Sequence, residues 1–169
     1  MQHPDPLRPQ STQPIILPSG REVELPRAMP VFRRWTGAMP TDTFNGKPVL
    51  DFNGEMAFAE LVILGLFQRD GWDGRWIDSY RRKYRIGYWG QNVTKDLPPS
   101  KRSTLDLIRP EWGGCFDVFC WRGETILFAE AKWKAHDRIR PTQRAWLEAA
   151  LDAGISVESF LVVEWSIEL

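Results

Sequence analysis

The chain has 169 residues and a formal net charge of zero, with 43% hydrophobic and 26% charged residues, which suits one domain with a sizeable core. A balanced charge excludes a uniformly basic nucleic-acid binder, and the longest apolar stretch, Met56 to Phe67, is broken by Glu60 and falls far short of the roughly 20 residues of a membrane span. The N-terminus, Met1-Gln2-His3-Pro4-Asp5-Pro6, has neither a basic n-region nor an apolar core, so a cytoplasmic location is expected.

Residues 1–45 are rich in Pro and polar side chains and read as an extended arm, packed on the body or on a partner subunit. Within them, Pro14-Ile15-Ile16-Leu17 and Glu22-Val23-Glu24-Leu25 flank the turn Pro18-Ser19-Gly20 and predict a hairpin. Residues 53–70 then read as the first helix. The run Met56-Ala57-Phe58-Ala59-Glu60-Leu61-Val62-Ile63-Leu64-Gly65-Leu66-Phe67 holds a single charge, so Glu60 must lie on a narrow exposed stripe, be paired, or bind a metal. Glu55, five residues earlier, is the second choice for the acid of this helix.

A segment that interleaves basic and aromatic residues follows, Tyr80-Arg81-Arg82-Lys83-Tyr84-Arg85-Ile86-Gly87-Tyr88-Trp89. Its composition suits phosphate contact combined with base stacking, and equally a solvated basic strand with aromatic packing beneath it. With the loop Leu97-Pro98-Pro99-Ser100-Lys101-Arg102-Ser103 it belongs to an insertion over about residues 80–110 that is expected to select substrate. Gly113-Gly114 marks a turn. The runs Cys115-Phe116-Asp117-Val118-Phe119-Cys120 and Thr125-Ile126-Leu127-Phe128-Ala129-Glu130-Ala131-Lys132 flank Arg122-Gly123-Glu124 and predict an antiparallel hairpin. Cys115 and Cys120 are separated by an odd spacing, point to opposite strand faces, and are expected to stay reduced.

Each arm of this hairpin carries an acid that would be costly beside buried strand residues, and a divalent cation would explain both. Glu130 and Lys132 lie two apart and share a strand face, to which cross-strand pairing can also bring Asp117. Mg2+ (or Mn2+) takes oxygen ligands at roughly 2.0–2.1 Å and keeps several waters, so Asp117, Glu130 and the backbone carbonyl of Ala131 would suffice beside a phosphate. Lys132 would orient the attacking water or balance developing charge. Pro141-Thr142-Gln143-Arg144-Ala145-Trp146-Leu147 opens a helix that Gly154 stops, and residues 156–165 read as the last strand. His136 reads as a surface residue of a polar loop, and the nine tryptophans as packing residues.

An Asp, a spacer and then Glu-x-Lys on adjacent strands resembles the PD-(D/E)XK nuclease superfamily, with its restriction-endonuclease-like fold. The pattern is closest to VRR-NUC and Holliday-junction-resolvase-like nucleases, in which a Gln-x-x-Trp-Leu helix and a Gly precede the last strand, the places that Gln143, Trp146 and Gly154 take here. The resemblance covers about residues 53–164, and Phe116 stands where the superfamily has Pro. It implies an α/β domain over residues 46–169 with a central mixed sheet flanked by helices in the order α-β-β-β-α-β. It also implies hydrolysis of DNA phosphodiesters, branched or single-stranded DNA included, and a homodimer where both strands are cut. Glu60, Asp117, Glu130, Lys132 and Gln143 would form the catalytic set, with Glu60 supporting the metal or its waters; for Gln143 the alternative is a solvated first-turn residue.

Charge is polarised along the chain. Arg81, Arg82, Lys83, Arg85, Lys101 and Arg102, with Lys95, face one acid, Asp96, and residues 132–144 bring Lys134, Arg138, Arg140 and Arg144 against Asp137 alone. Tyr84 sits within the first cluster. Residues 145–169 carry five acids and no base. A cationic face for a polyanion and an acidic far side are expected. A nucleic-acid-binding or assembly module without catalysis is the alternative function.

Overall fold

The computed structural model describes residues 1–88 and 92–168; Trp89, the end of the basic and aromatic segment, lies outside them. In chain order the elements are β1 (Ser11–Ile16), β2 (Glu22–Ala28), β3 (Val31–Arg34), β4 (Leu50–Phe52), β5 (Glu55–Ala57), α1 (Ala59–Arg69), β6 (Asp73–Asp78), β7 (Lys83–Arg85), α2 (Pro99–Ile108), β8 (Val118–Arg122), β9 (Thr125–Trp133), α3 (Pro141–Asp152) and β10 (Phe160–Ile167). The strands join in one mixed sheet in the order β5-β4-β3-β10-β9-β8-β6-β7, with β2 also against β10 and β1 beyond β2. The molecule is thus an α/β fold whose central sheet is flanked by helices.

Alternation along the middle strands sorts the core into two layers. Val118, Cys120, Leu127, Ala129, Leu161 and Val163 pack with Val62, Ile63, Leu66 and Phe67 of α1. Phe119, Trp121, Phe128, Phe160 and Val162 point the other way and pack with Leu105 and Ile108 of α2 and Trp146, Leu147 and Ala150 of α3. Strands buried on both faces read as continuous apolar runs, as β8 and β9 do. The hairpin between them turns on Gly123-Glu124, with Arg122 paired to Thr125. β10 then runs parallel to β9, Val162 opposite Glu130 and Glu164 opposite Lys132.

Four expectations are corrected. The helix expected over 53–70 begins at Ala59, because Asn53 and Gly54 adopt positive φ (59° and 82°) and turn β4 back into β5. Asn-Gly is the strongest short hairpin signal, and it overrides the helical run that follows. Glu55 therefore stands exposed on β5 and not on the helix. Of the loop expected over 97–103 only Leu97 and Pro98 remain irregular: Pro99 starts α2, with Pro in the first turn. The last strand spans Phe160–Ile167, after a 3-10 turn over Val157–Ser159.

The N-terminal hairpin forms as β1 and β2, with Ile15 opposite Val23. It is joined to the body: β2 and β3 lie parallel to β10, through Val162–Arg27 and Ser166–Val31 pairings. No helix among the described residues is long and apolar enough to cross a membrane.

Candidate active site

The β8–β9 register fixes the heart of the site. Val118 faces Ala129, so one further step sets Asp117 opposite Glu130 with both side chains on the α3 side of the sheet. The two residues are cross-linked by their own polar groups: the Asp117 amide donates to Glu130 Oε2 (3.1 Å), and the Ala131 amide donates to Asp117 Oδ2 (3.0 Å). Asp117 Oδ1 accepts no hydrogen bond from the described residues. β6 buttresses this corner, the Ile77 amide donating to the Asp117 carbonyl at 2.7 Å.

Glu130 is 1% exposed. A carboxylate so buried must be satisfied by partners. Its Oε1 lies 2.7 Å from Lys132 Nζ and accepts from Gln143 Nε2 at 2.5 Å. Lys132 Nζ also donates to Gln143 Oε1 (3.1 Å), which in turn accepts from the Arg140 amide (2.9 Å). Gln143, the third residue of α3, thus reaches back through its side chain to the amide of Arg140 before the helix and closes a Glu130–Lys132–Gln143 triangle. The helix start that its sequence position suggests and the site role that the resemblance implies coincide in one side chain. Gly114 permits this approach: at φ +75° it brings residues 114–117 so close to α3 that an added Cβ would lie 2.4 Å from the Thr142 carbonyl oxygen.

Glu60 enters from the first turn of α1 and is buried, its Oε1 held by Lys47 Nζ. Lys47 was not expected from the sequence. It comes from a loop in which Phe44, Asn45 and Gly46 all have positive φ (51°, 64° and 81°). Glu60, Asp117, Glu130, Lys132, Gln143 and Lys47 all line one cavity of about 530 Å3.

Burial holds the Asp117 carboxyl well above its ordinary pKa, reinforced by Glu130 and Glu60 and only partly opposed by Lys47 and Lys132. Burial likewise raises Glu130, against Lys132, Gln143 and the Asp117 amide, which pull it down. For Lys47 burial acts downward, but Glu60 and then Asp117 outweigh it and raise its pKa. Burial, with Glu130 and Asp117 nearby, keeps the Cys115 thiol far above its usual range, which argues against a thiolate nucleophile here. Cys115 and Cys120 are both free.

Among the described residues no three His, Cys, Asp or Glu side chains form a ready metal cage. Two adjacent carboxylates, one with an open oxygen, are nonetheless a donor set that fits Mg2+, which takes one or two carboxylates and completes its shell with water and phosphate. The backbone amide of Ala131 is spent on Asp117, and the residue itself lines the cavity.

The expected nucleic-acid contacts divide. Arg82, Lys83, Arg102, Lys134, Arg138 and Arg140 are exposed, and Arg81 and Arg140 line the cavity. Arg85 and Lys101 are corrected: at 5% and 7% exposure they are interior residues. Arg85 pairs with buried Asp78 at 2.8 Å, and Lys101 donates to the Gly123 carbonyl at 3.1 Å, each having found a fixed partner that a solvated cation lacks. Tyr84 packs on Trp112, its ring covered by Arg102. Arg81 stacks on Phe44, 3.6 Å from the ring centre. His136 is exposed and stacks on Trp133. Comparison of the chain with protein-family models, with curated proteins and with solved structures gave no match.

Proposed function

We infer that this chain is a Mg2+- or Mn2+-dependent nuclease that hydrolyses phosphodiester bonds, with DNA as the expected substrate, built on a restriction-endonuclease-like core. The observation that carries this reading is the directly cross-strand Asp117–Glu130 pair, with Lys132 two residues on, in a cavity that Arg81 and Arg140 also line. The element order supports the same core: α1, β6, β8, β9, α3 and β10 run in the order the resemblance implies, with β7 and α2 inserted between β6 and β8.

Asp117, Glu130 and the Ala131 carbonyl would hold the cation, with Glu60 nearby. When bound, such a cation polarises the phosphoryl oxygen and lowers the pKa of a coordinated water. The chain's own residues do the rest. Lys132 has three N–H donors, two of which are committed to Glu130 and Gln143, leaving one for the attacking water or a phosphate oxygen. Gln143 fixes Lys132 and Glu130 together, and Arg81 and Arg140 supply positive charge for the strand entering the cavity.

The test is cleavage of labelled linear, single-stranded and four-way-junction DNA with Mg2+, Mn2+ or EDTA. Metal-dependent products that vanish in Asp117→Ala, Glu130→Ala and Lys132→Ala, by at least about 100-fold, are expected. Full activity in Glu130→Ala would sink the assignment. A non-catalytic nucleic-acid-binding module is the second reading, favoured by the lysines that already occupy Glu60 and Glu130. DNA retained on a gel without cleavage by any metal would select it.

A further inference from the structure

Five carboxylates line the cavity, Glu60, Asp78, Asp117, Glu130 and Asp137, together with the ammonium groups of Lys47 and Lys132, and the two ammoniums are anchored differently. Lys132 is clamped by Glu130 at 2.7 Å and Gln143 at 3.1 Å, on a central strand. Lys47 has one carboxylate partner, Glu60, and a looser contact with the Trp76 ring, 5.8 Å from its centre. Its side chain keeps 38% exposure, against 9% for that of Lys132. Asp117 has an open Oδ1 and, among the described residues, no ammonium within ion-pair distance.

The loop that delivers Lys47 is costly to build. Asn45 is a residue type that tolerates the left-handed region, but Phe44 is not, and its φ of 51° costs roughly 1–2 kcal/mol. Local bonds hold it there: the Phe44 amide donates to Asp42 Oδ1 (2.8 Å), the Lys47 amide to the Thr43 carbonyl (2.8 Å), and the Phe44 ring packs among Phe58, Trp76 and Tyr88. Strain over-determined in this way beside a cavity calls for a use. Its visible result is an ammonium set against Glu60 within the field of Asp117.

We propose that Lys47 is the site's built-in counter-cation, which holds Glu60 and offsets Asp117 until a divalent cation displaces it, so that metal binding and release of Lys47 are one event. This rests on the metal-dependent reading above. Lys47 is the displaceable member of the two because it loses one ion pair and its side chain is already 38% exposed, so water can take its charge, whereas moving Lys132 would break a buried triangle. Freed, its ammonium becomes available to a substrate phosphate.

The test is Mn2+ binding followed by the loss of free-ion paramagnetic resonance, in wild type, Lys47→Met, Lys47→Arg and Asp117→Ala. Lys47→Met keeps the apolar stem and loses the charge, so it should bind Mn2+ about tenfold tighter than wild type, with Lys47→Arg close to wild type. In wild type itself, acylation of Lys47 read by peptide mass spectrometry should accelerate several-fold on saturation with Mg2+, a measurement that needs no variant to fold. Equal or weaker Mn2+ affinity in Lys47→Met, or Lys47 labelling indifferent to Mg2+, with binding still lost in Asp117→Ala, overturns the role of Lys47 and leaves the metal site standing. Absence of Mn2+ binding to every protein, wild type included, overturns both.

Discussion

Asp117 sits where a carboxylate is costly. Burial comes first, and Glu130 and Glu60 add to it, so its pKa is raised in the folded protein. The sign follows directly: the folded state holds a proton that the unfolded chain would already have released, so this group favours folding at acid pH and the contribution is lost as pH climbs from the ordinary carboxylate range through the raised folded value. A site that stores such a cost trades stability for function. Asp117→Asn keeps an oxygen for the Ala131 amide and removes the charge. Without metal it should melt about 2–4 °C higher than wild type at neutral pH, roughly 1 kcal/mol in a chain of this length, with the gap closing toward pH 4, and it should be inactive. Scanning calorimetry across pH checks this; a lower melting temperature at pH 7 would contradict the electrostatic account.

At the scale of elements, the site depends on how closely α3 approaches the chain before β8. Gly114 has φ +75° and faces the Thr142 carbonyl, so Gly114→Ala adds both a left-handed penalty and a 2.4 Å clash. It should cost at least about 1 kcal/mol in urea unfolding and should reduce activity beyond what that loss explains, because the first turn of α3 carries Gln143. Gly123→Ala, in the β8–β9 turn with open space around it, has the backbone penalty alone and serves as the control. The sequence made the hairpin, α3 and the shared face of Asp117, Glu130 and Lys132 legible, because period-2 alternation and Gly-marked turns state them locally. Glu60 was legible as the lone charge of an apolar run. Lys47 was not: nothing in Asn45-Gly46-Lys47-Pro48 distinguishes the partner of a buried carboxylate from a solvated turn, and the pairing spans 13 residues of chain that fold back on themselves. Arg85 and Lys101 misled for the same reason, since charge runs say nothing about which cations find buried partners. The start of α1 was missed because Met56 and Ala57 belong to its apolar run in sequence and to β5 in the fold.

Across the whole molecule, zero net charge conceals a division of labour. The acids of the C-terminal segment meet arginines of the N-terminal strands and turns, Asp152 with Arg21 (3.2 Å), Glu164 with Arg27 (3.8 Å) and Glu168 with Arg33 (3.9 Å). The two exposed pairs, Arg21–Asp152 and Arg33–Glu168, add little stability, but with the half-buried Arg27–Glu164 pair they set one sign of charge against the other outside the cavity lining. Lys134, Arg138 and Arg140 follow β9 out of the site in an exposed stretch, and Arg82 and Lys83 lie on the β6–β7 side. If these cations guide a nucleic-acid strand, binding must carry a counterion-release signature: each phosphate contact contributes about 0.9 to the slope of log K against log salt on duplex and about 0.7 on a single strand. Neutralising Lys134, Arg138 and Arg140 together to Gln should therefore flatten the slope by about 2 to 3, weakening binding alike for all sequences. Lys101→Met makes the decisive contrast. Its ammonium serves the Gly123 carbonyl within the fold, so the slope should stay at the wild-type value while the melting temperature falls by a few degrees, the cost of one buried hydrogen bond of about 1 kcal/mol. Fluorescence anisotropy between 50 and 300 mM salt, with melting curves on the same samples, measures both. A slope unmoved by the triple change would show that this face does not carry the strand, however cationic its sequence.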